Sequence, residues 1–156
     1  MIEVTRDATV AAPPEAVWPW VDDLDRLPRW FTFAESAEVL EGEGVGRRQR
    51  LHGRWGKKRS QVDSVVVEHD PPRRLAWRHE AERLDGRPAP RFASETLFTI
   101  ELTPEGGGTH VRLVSRQQPA SRPRGLVMRL FGTREVAGHL DRSLARLAEV
   151  VAARDG

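Results

Sequence analysis

Three strand-like stretches of the chain carry polar side chains at alternate positions, and these side chains could do chemistry. They are His79 in the first stretch, Ser94 and Thr96 in the second, and Ser115 and Gln117 in the third. Hydroxyl and amide groups can orient a ligand by hydrogen bonds, and an imidazole can also transfer a proton near neutral pH. The residue types allow an acid–base pair of His79 with Ser115 or Glu95, so His79 and Ser115 are the catalytic candidates. The alternative is that these are ordinary polar positions near a sheet margin.

Several other chemistries are excluded or not indicated by the residue types present. The chain has no cysteine, which removes disulfides, thiolate nucleophiles and thiolate metal ligands, and no tyrosine, which removes phenol acid–base chemistry. The histidines show no paired helical spacing, so no metal site is predicted. No glycine-rich phosphate loop and no GxSxG element occurs, so we expect neither a nucleotide nor another cofactor, and no serine hydrolase.

The segment RRQRLHGRWGKKR, residues 47–59, concentrates positive charge around Trp55. The chain as a whole is nearly neutral, because 25 lysines and arginines are balanced by 23 acidic residues. On a strand, Arg48 and Arg50 would face outward whereas Arg47 would not. We therefore expect an edge hairpin whose basic side chains lie in solvent and discourage aggregation of the sheet. An anionic partner or ligand head group is the first alternative, and a nucleic acid is the last.

Length and composition predict one soluble globular domain over residues 1–156. Hydrophobic residues make up 38% and charged residues 31% of the chain, which fits neither a disordered nor a membrane-spanning protein. No apolar run reaches the roughly 20 residues that cross a bilayer, and the N-terminus lacks the pattern of a signal peptide. We expect a cytoplasmic monomer or homodimer that does not insert into membranes.

The N-terminal part of the chain predicts a strand followed by two short helices. Alternating apolar residues over 2–10 are typical of a half-buried strand. Pro13 and Pro14 suit the first turn of a helix, which Pro19 would keep short or distorted. A second brief helix should follow and end at Pro28.

Antiparallel strands are predicted over most of the middle of the chain. They are expected at residues 35–40, 47–60, 61–69, 73–82, 91–103 and 110–118, with glycine-rich turns at 41–46 and 104–109. In the second of these strands Leu51 and Trp55 would face inward, with a bulge or bend at Gly53 and Gly56. Residues 70–72, Asp-Pro-Pro, oppose helix and strand pairing, so the chain should turn a corner there. The segment DGRPAP, 85–90, is predicted as a loop.

After Pro123 the apolar pattern changes to a helical period. Apolar side chains recur at three- and four-residue spacings at Leu126, Leu130, Ala137, Leu140, Leu144, Leu147 and Val151. One long amphipathic helix over residues 125–152 is therefore predicted to close the domain.

Five segments follow one another in an order typical of one superfamily. They are TVAAPPEAVWPWVDDLDRLPRW at 9–30, GEGVG at 42–46, DPPRRLAWR at 70–78, GGGTHVRL at 106–113 and the helix at 125–152. Together they resemble the START-like, or SRPBCC, superfamily of polyketide cyclase/dehydrase and lipid-transport proteins, over almost the whole chain. The resemblance implies an α+β helix-grip fold, also called Bet v 1-like. In this fold a curved antiparallel sheet of about seven strands wraps a long C-terminal helix, and two short helices follow the first strand.

The resemblance also implies a ligand cavity between the sheet and the C-terminal helix. The candidate lining residues are Trp55, Trp77, His79, Phe92, Ser94, Thr96, Phe98, Ser115, Gln117, Met128, Phe131 and His139. Such a cavity would be apolar with one polar end, the usual design of a site in which a few hydrogen bonds orient a hydrophobic ligand. The aromatic residues of this set are also compatible with core packing, and His79 with a structural hydrogen bond.

Three functions stay open for such a domain. The first is a non-catalytic binder or carrier whose partner is a hydrophobic or amphipathic small molecule. The second is a cofactor-free polyketide cyclase or dehydratase, a type of relative that uses Arg, Ser, Tyr, Trp or His in the cavity. Tyrosine is absent here, and Arg78, Arg112 and Arg116 have outward parity. The third is a protein-interaction module with a filled interior.

Overall fold

The computed structural model describes residues 1–89, 93–127 and 132–155. Its strands are β1 (Ile2–Val10), β2 (Ser36–Glu41), β3 (Arg48–Trp55), β4 (Lys58–Asp70), β5 (Arg74–Leu84), β6 (Arg87–Pro88), β7 (Ala93–Glu105) and β8 (Gly108–Pro119). Its helices are α1 (Pro14–Asp22), a 3-10 helix (Leu27–Arg29), α2 (Arg122–Val127) and α3 (Thr133–Asp155). Within the described ranges, none of the helices combines the length and the apolar composition that a bilayer crossing needs.

The strands form one antiparallel sheet in the order β1-β8-β7-β5-β4-β3-β2, and β6 pairs only with β5. β1 and β2 lie at the two ends of this order, so the curved sheet is unclosed. α3 packs on β1 and β8 and touches α1 and the 3-10 helix. We call the sheet face toward these helices the inner face. The arrangement confirms the predicted helix-grip fold, with one strand more than expected, the two-residue β6.

The hydrophobic core lies between the inner face and the helices, and α3 contributes the apolar side predicted for it. Its core residues, between 0% and 4% exposed, are Leu140, Leu144, Leu147 and Val151. The described residues are helical on both sides of residues 128–131, in α2 (Arg122–Val127) and in α3 (Thr133–Asp155), as the predicted helix over 125–152 requires. Leu126 of α2 is 60% exposed, so its helical spacing does not place it over the core. Residues 128–131, including Leu130, lie outside the described residues.

The chain reverses at Gly56 rather than near residue 60, so the predicted strand 47–60 is divided between β3 and β4. Gly56 has a φ of 62°, which a tight hairpin turn needs and most side chains oppose. Gly53 lies inside β3, where a Cβ added to it would be 2.5 Å from the carbonyl oxygen of Phe33. Gly53, which was expected at a bulge or bend, therefore allows the segment of Phe33 to lie close to β3.

The helices after β1 agree with the prediction in number but not in detail. α1 begins at Pro14 and has nine residues, with Pro19 inside it. The second helix is of the 3-10 type, and Pro28 lies in its first turn instead of ending it. A proline is tolerated there because the first-turn amides of a helix have no intrahelical partner. This turn places the segment after it, Trp30 to Phe33, over the inner face.

Of the two turns that flank β5, the one before it confirms the prediction and the one after it corrects the prediction. The chain turns at 71–73, directly after β4, as the double proline predicts. The segment predicted as a loop at 85–90 contains instead a tight hairpin, in which Asp85 and Gly86 have φ values of 52° and 80°. Pro88 then lies in β6, a position that suits a residue unable to donate to a further strand.

Candidate functional site

Trp77, Phe98 and Phe31 form an aromatic wall on the inner face. Trp77 on β5 is the register partner of Phe98 on β7, and their rings stack with centroids 5.0 Å apart. Phe31, which follows the 3-10 helix, meets both rings edge-on, at 5.7 Å from Trp77 and 5.2 Å from Phe98. Trp77 is 2% exposed and Phe98 is 5% exposed. The predicted lining residues Trp77 and Phe98 therefore pack directly against each other.

His139 of α3 joins this aromatic wall through Phe33. The two rings stack with centroids 4.5 Å apart, and Phe33 lies 5.1 Å from Phe31 and 6.4 Å from Phe98. The structure thus brings the predicted residue His139 into one cluster with Phe98. Phe31 and Phe33 were missed by the sequence reasoning, although the aromatic run WFTF was a visible signal.

Hydrogen bonds hold the His139 ring between α3 and the segment before β2. Nδ1 of His139 lies 2.8 Å from Oγ1 of Thr32, and Oγ of Ser143 accepts a hydrogen bond from the Thr32 amide at 3.0 Å. Burial is the main cause that lowers the pKa of His139 below its ordinary value, and the charge of Arg142 lowers it further against the opposing effect of Glu135. Burial and the Arg142 charge therefore both favour the neutral imidazole over the charged form.

Gln49, Ser64 and His79 form a polar row beside the aromatic wall. Gln49 on β3 pairs with Ser64 on β4, and Ser64 pairs with His79 on β5. Gln49 is 0% exposed and Ser64 is 1% exposed, whereas the His79 side chain is 22% exposed. Burying polar groups opposes folding unless they gain partners, so packing alone does not account for this row. His79 was predicted, but Gln49 and Ser64 were not, although Gln49 shares the parity of the inward Leu51.

The predicted residues of β7 and β8 extend both rows. Ser115 is the register partner of Phe98, and Gln117 is the register partner of Thr96. Ser115 and Thr96 are buried, and Gln117 is half-buried. β7 lies between the strands of His79 and Ser115, so the structure does not pair these two side chains as an acid and a base.

A cleft opens between β5 and β7 where the ladder of paired residues ends. The last register pair is Arg78 with Leu97, and beyond it β5 and β7 each carry one extra residue, Glu80 and Ser94, relative to their other neighbours. Such bulges bend strands and increase their twist, which separates β5 from β7. The cleft is shallow, with a free volume of about 10 Å³, roughly that of one water molecule. Its lining residues are His79, Glu80, Ala81, Glu82, Ala93, Ser94, Glu95 and Thr96.

Three predicted residues, His79, Ser94 and Thr96, meet at this cleft. Nδ1 of His79 lies 3.4 Å from Oε1 of Glu82, so the imidazole has a carboxylate that can hold one tautomer. Ser94 is exposed, and its hydroxyl donates a hydrogen bond to the Gln118 carbonyl oxygen at 3.3 Å. Among the residues described, no three His, Asp or Glu side chains gather in a way that could hold a metal ion.

A buried arginine, Arg47, lies directly before β3 and next to Gln49 of the polar row. Its Nε donates to Oε1 of Gln49 at 3.2 Å, and its Nη1 donates to the carbonyl oxygen and to Oδ1 of Asp22, each at 3.2 Å. Asp22 Oδ1 also lies 3.2 Å from Nε2 of His69. The Arg47 side chain is only 9% exposed. Sequence reasoning separated Arg47 from the outward arginines by parity but did not place it in the site.

The outward arginines of segment 47–59 are paired with carboxylates of the same chain. The partners are Glu41 and Glu80 for Arg48, Asp63 for Arg50 and Glu35 for Arg54. The predicted edge hairpin is corrected, because β2 lies outside β3 and forms the sheet edge. Much of the positive charge of this segment is therefore neutralised within the fold.

Trp55 does not line the interior, so its predicted place in the cavity lining is wrong. It keeps the inward parity of β3, but it pairs with Lys58 beside the hairpin turn and is 56% exposed. The last pair of a hairpin lies at the tip of the sheet, beyond the Phe33 segment that covers Gly53. Phe92, Met128 and Phe131 lie outside the described residues, so their places in the lining stay predictions.

The fold is shared with solved structures of low sequence identity. TTHA0849 from Thermus thermophilus matches with a TM-score of 0.77 and 24% identity, over 99% of this chain and 100% of that one. The di-domain ARO/CYC BexL from the BE-7585A biosynthetic pathway matches with a TM-score of 0.75 and 22% identity, over 96% of this chain and 46% of that one. These likenesses establish the helix-grip architecture.

Comparison with known sequences identifies the family of the chain as well as its fold. The Penicillium oxalicum "Oxopyrrolidines biosynthesis cluster protein O" is 28% identical over 129 residues, which are 69% of this chain and 63% of that protein. The chain thus spans less than two thirds of that relative's length. A family model described as "Polyketide cyclase / dehydrase and lipid transport" matches residues 1–152. Because this match covers nearly the whole sequence and agrees with the fold, the chain belongs to the polyketide cyclase/dehydrase and lipid-transport family.

Proposed function

We propose that the chain binds a hydrophobic or amphipathic small molecule between the inner face and α3. One observation carries the proposal: the inner face presents two adjacent rows, an aromatic one through Trp77 and Phe98 and a polar one from Gln49 to His79. A core that serves packing alone favours apolar side chains, whereas ligand sites combine apolar surface with a few polar groups that orient the guest.

The family and one structural relative support this proposal. The family description names polyketide cyclase, dehydrase and lipid transport. Lipids and cyclic polyketides both have large apolar surfaces. BexL belongs to a biosynthetic pathway and shares the architecture. We place the entrance at the cleft between β5 and β7, since His79 and Thr96 on its two sides belong to the polar positions of the inner face. Phe92, Met128 and Phe131 complete the proposed lining.

Native mass spectrometry of the protein purified from its own host tests the proposal. We expect a fraction with a small excess mass that is released on denaturation, because a site with a buried apolar surface retains its ligand during purification. The same protein unfolded in acid gives the mass of the chain alone. If the native mass equals the chain mass, and a panel of aromatic and acyl probes leaves the melting temperature unchanged, the proposal is wrong.

A matched pair of tryptophan variants locates the site. Trp77→Phe removes part of the aromatic wall, so we expect about three- to tenfold weaker binding of 2-acetylnaphthalene measured by calorimetric titration. Trp55→Phe changes the same side chain at the exposed hairpin tip and should leave the affinity unchanged. Equal affinity in both variants would place the ligand away from the aromatic wall.

Cofactor-free cyclisation or dehydration of a polyketide-like substrate is the second candidate function. The observation that favours it is the contact of His79 with Glu82 at the cleft, because a carboxylate-supported imidazole can accept and return a proton. His79→Ala should then abolish turnover of a poly-ketone substrate while its binding is retained. Unchanged turnover in this variant would exclude His79 as the acid–base group.

Nucleic-acid binding is not part of the proposal, because the arginines on the outward face of segment 47–59 already have carboxylate partners. A cytoplasmic location and a monomeric or dimeric state stay predictions. Size-exclusion chromatography with light scattering would decide between monomer and dimer.

A further inference from the structure

Among the described residues, three hydrogen-bonding atoms lie buried and without a partner, one each on β3, on β4 and on the residue directly before β3. They are Nη2 of Arg47, Nε2 of Gln49 and Oγ of Ser64. Gln49 and Ser64 are register partners, and Arg47 bonds to Gln49, so the three residues belong to one cluster on the inner face. We call it the donor cluster. Buried polar atoms without partners are rare in folded proteins because each opposes folding.

The chemistry of the donor cluster is set by its fixed neighbours. Arginine can only donate, so the Gln49 atom that faces Arg47 Nε at 3.2 Å is the carbonyl Oε1, and the amide Nε2 is left as a free donor. Arg47 uses Nη1 on Asp22 and keeps the Nη2 hydrogens. The Ser64 hydroxyl adds a third donor. Three donors in one cluster suit an acceptor oxygen and oppose a cation.

We propose that the donor cluster recognises a carbonyl or carboxylate oxygen of the ligand, an inference that rests on the proposed function. The Asp22 carboxylate balances the Arg47 charge, so the cluster accepts a neutral ketone as well as an anion. The desolvation of the donors is already complete in the folded chain, which makes a hydrogen bond to an incoming oxygen more favourable than one to hydrated donors. Hydrophobic rings or chains of the ligand would then lie along Trp77 and Phe98.

The polar row supplies the path from the surface to the donor cluster. His79 lines the cleft, and it is the register partner of Ser64, which in turn is the partner of Gln49. An oxygen-bearing ligand that enters at the cleft therefore meets polar side chains continuously down to Gln49. Its final contact requires a rearrangement of side chains, because the three donor atoms are shielded from solvent in this conformation.

Three probes of nearly equal shape test the inference on the full chain. They are 2-acetylnaphthalene with a ketone, 2-naphthoate with a carboxylate, and 2-isopropenylnaphthalene with no acceptor oxygen. We expect the ketone, the carboxylate or both to bind at least about tenfold more tightly than the isopropenyl compound. The ketone and carboxylate arms show whether the cluster prefers a neutral or an anionic oxygen.

Ser64→Ala and Gln49→Leu assign that preference to the donor cluster. Each variant should reduce the preference for oxygen about three- to tenfold while leaving the affinity for the isopropenyl compound unchanged. Gln61→Leu is the matched control, because Gln61 on β4 also accepts a hydrogen bond from an arginine Nε, that of Arg83 at 3.1 Å. The control should keep the full preference.

The melting temperature of Ser64→Ala tests the premise without a ligand. Removing a buried hydroxyl that has no partner should leave the melting temperature equal or higher. A fall of more than about 3 °C would show that the hydroxyl is satisfied, for example by an ordered water, and would overturn the inference.

The probe results distinguish a failure of the donor cluster from a failure of the proposed binding function. Equal affinity for all three probes, or a preference that survives both variants, overturns the donor cluster while the proposed binding function stands. Absence of binding for every probe, together with a ligand-free native mass, contradicts the binding function itself and removes the inference with it.

Discussion

At the scale of single residues, His139 combines a packing role with a titratable group. Its ring stacks on Phe33, and its Nδ1 contacts Thr32, so α3 is linked to the segment that carries the aromatic wall. Sequence reasoning placed His139 in the site because it falls on the gripping helix. It could not show that Thr32 and Ser143 would meet the ring, because these contacts join residues more than 100 positions apart.

The pH dependence of the free energy of unfolding should reflect the titration of His139. Burial lowers its pKa in the folded chain, so the unfolded chain takes up the proton first as the pH falls below the ordinary histidine pKa of about 6.5. The contribution to stability is fully present above that pH and is lost as the pH falls toward the folded pKa. Urea unfolding of the wild type and His139→Gln between pH 8 and pH 5 measures it. The wild type should lose more stability than the variant over this range, and parallel curves would contradict the prediction.

Asp63 on the outer face should contribute measurably to stability. It accepts hydrogen bonds from Arg50 and Arg83, and the bond from Arg50 is the main cause that lowers its pKa. Asp63→Asn should lower the free energy of unfolding by about 1–2 kcal/mol at pH 7. The loss should shrink as the pH falls below the ordinary aspartate pKa of about 3.9, because the unfolded chain takes up the proton first, and should vanish below the lowered pKa of Asp63 in the folded chain.

An exposed ion pair is the control for Asp63. Asp141 lies 3.4 Å from Arg6, and its side chain is 60% exposed. Asp141→Asn should therefore change the free energy of unfolding by no more than about 0.5 kcal/mol. An equal loss in both variants would show that the contacts of Asp63 do not distinguish it from a solvent-exposed pair.

At the scale of elements, the bulges decide where the cleft between β5 and β7 opens. β5 and β7 read as regular alternating strands, yet each contains one residue that has no counterpart on its neighbour, and the cleft lies beyond their last shared pair. Alternation predicts which side chains share a face but not where two strands part. The cleft residues His79 and Thr96 were predicted by parity, and their position at an opening was decided by the bulges.

A glycine pair tests how closely the Phe33 segment approaches β3. Gly53→Ala would bring a Cβ to 2.5 Å from the Phe33 carbonyl oxygen, so we expect destabilisation by about 1–3 kcal/mol in urea unfolding. Gly138→Ala in α3 would meet only the movable end of Arg142, at 3.2 Å, and gains helix propensity. It should be neutral or stabilising by up to about 1 kcal/mol. Tolerance of Gly53→Ala would mean that the covering segment can move away from β3.

At the scale of the whole molecule, α3 packs on β1 and β8 and completes the core. Leu147 is fully buried, so Leu147→Ala should lower the free energy of unfolding by about 2–5 kcal/mol in urea titration. Leu126 belongs to the same apolar pattern in sequence but is 60% exposed. Leu126→Ala should stay within about 0.5 kcal/mol of the wild type. A large loss at Leu126 would indicate that α2 packs over the core after all.

Local pattern determined much of this protein by itself. Apolar residues alternate along β1, β5, β7 and β8 and recur with a helical period along α3, because these side chains must be buried. The position of each residue in its own segment is enough to predict which face it occupies. Together with the ordered family segments, this predicted the helix-grip fold and placed Trp77, His79, Thr96 and Phe98 on the inner face.

Tertiary structure alone decided which of these residues lie together and which are buried. Trp55 has the correct parity but lies at a tip that nothing in its local sequence marks as uncovered. Arg47, Gln49 and Ser64 look like strand polars, and only the pairing of β3 with β4 under the covering segments buries their donors together. Burial and hydrogen bonding depend on what lies across space from a side chain, and that neighbour comes from elsewhere in the chain.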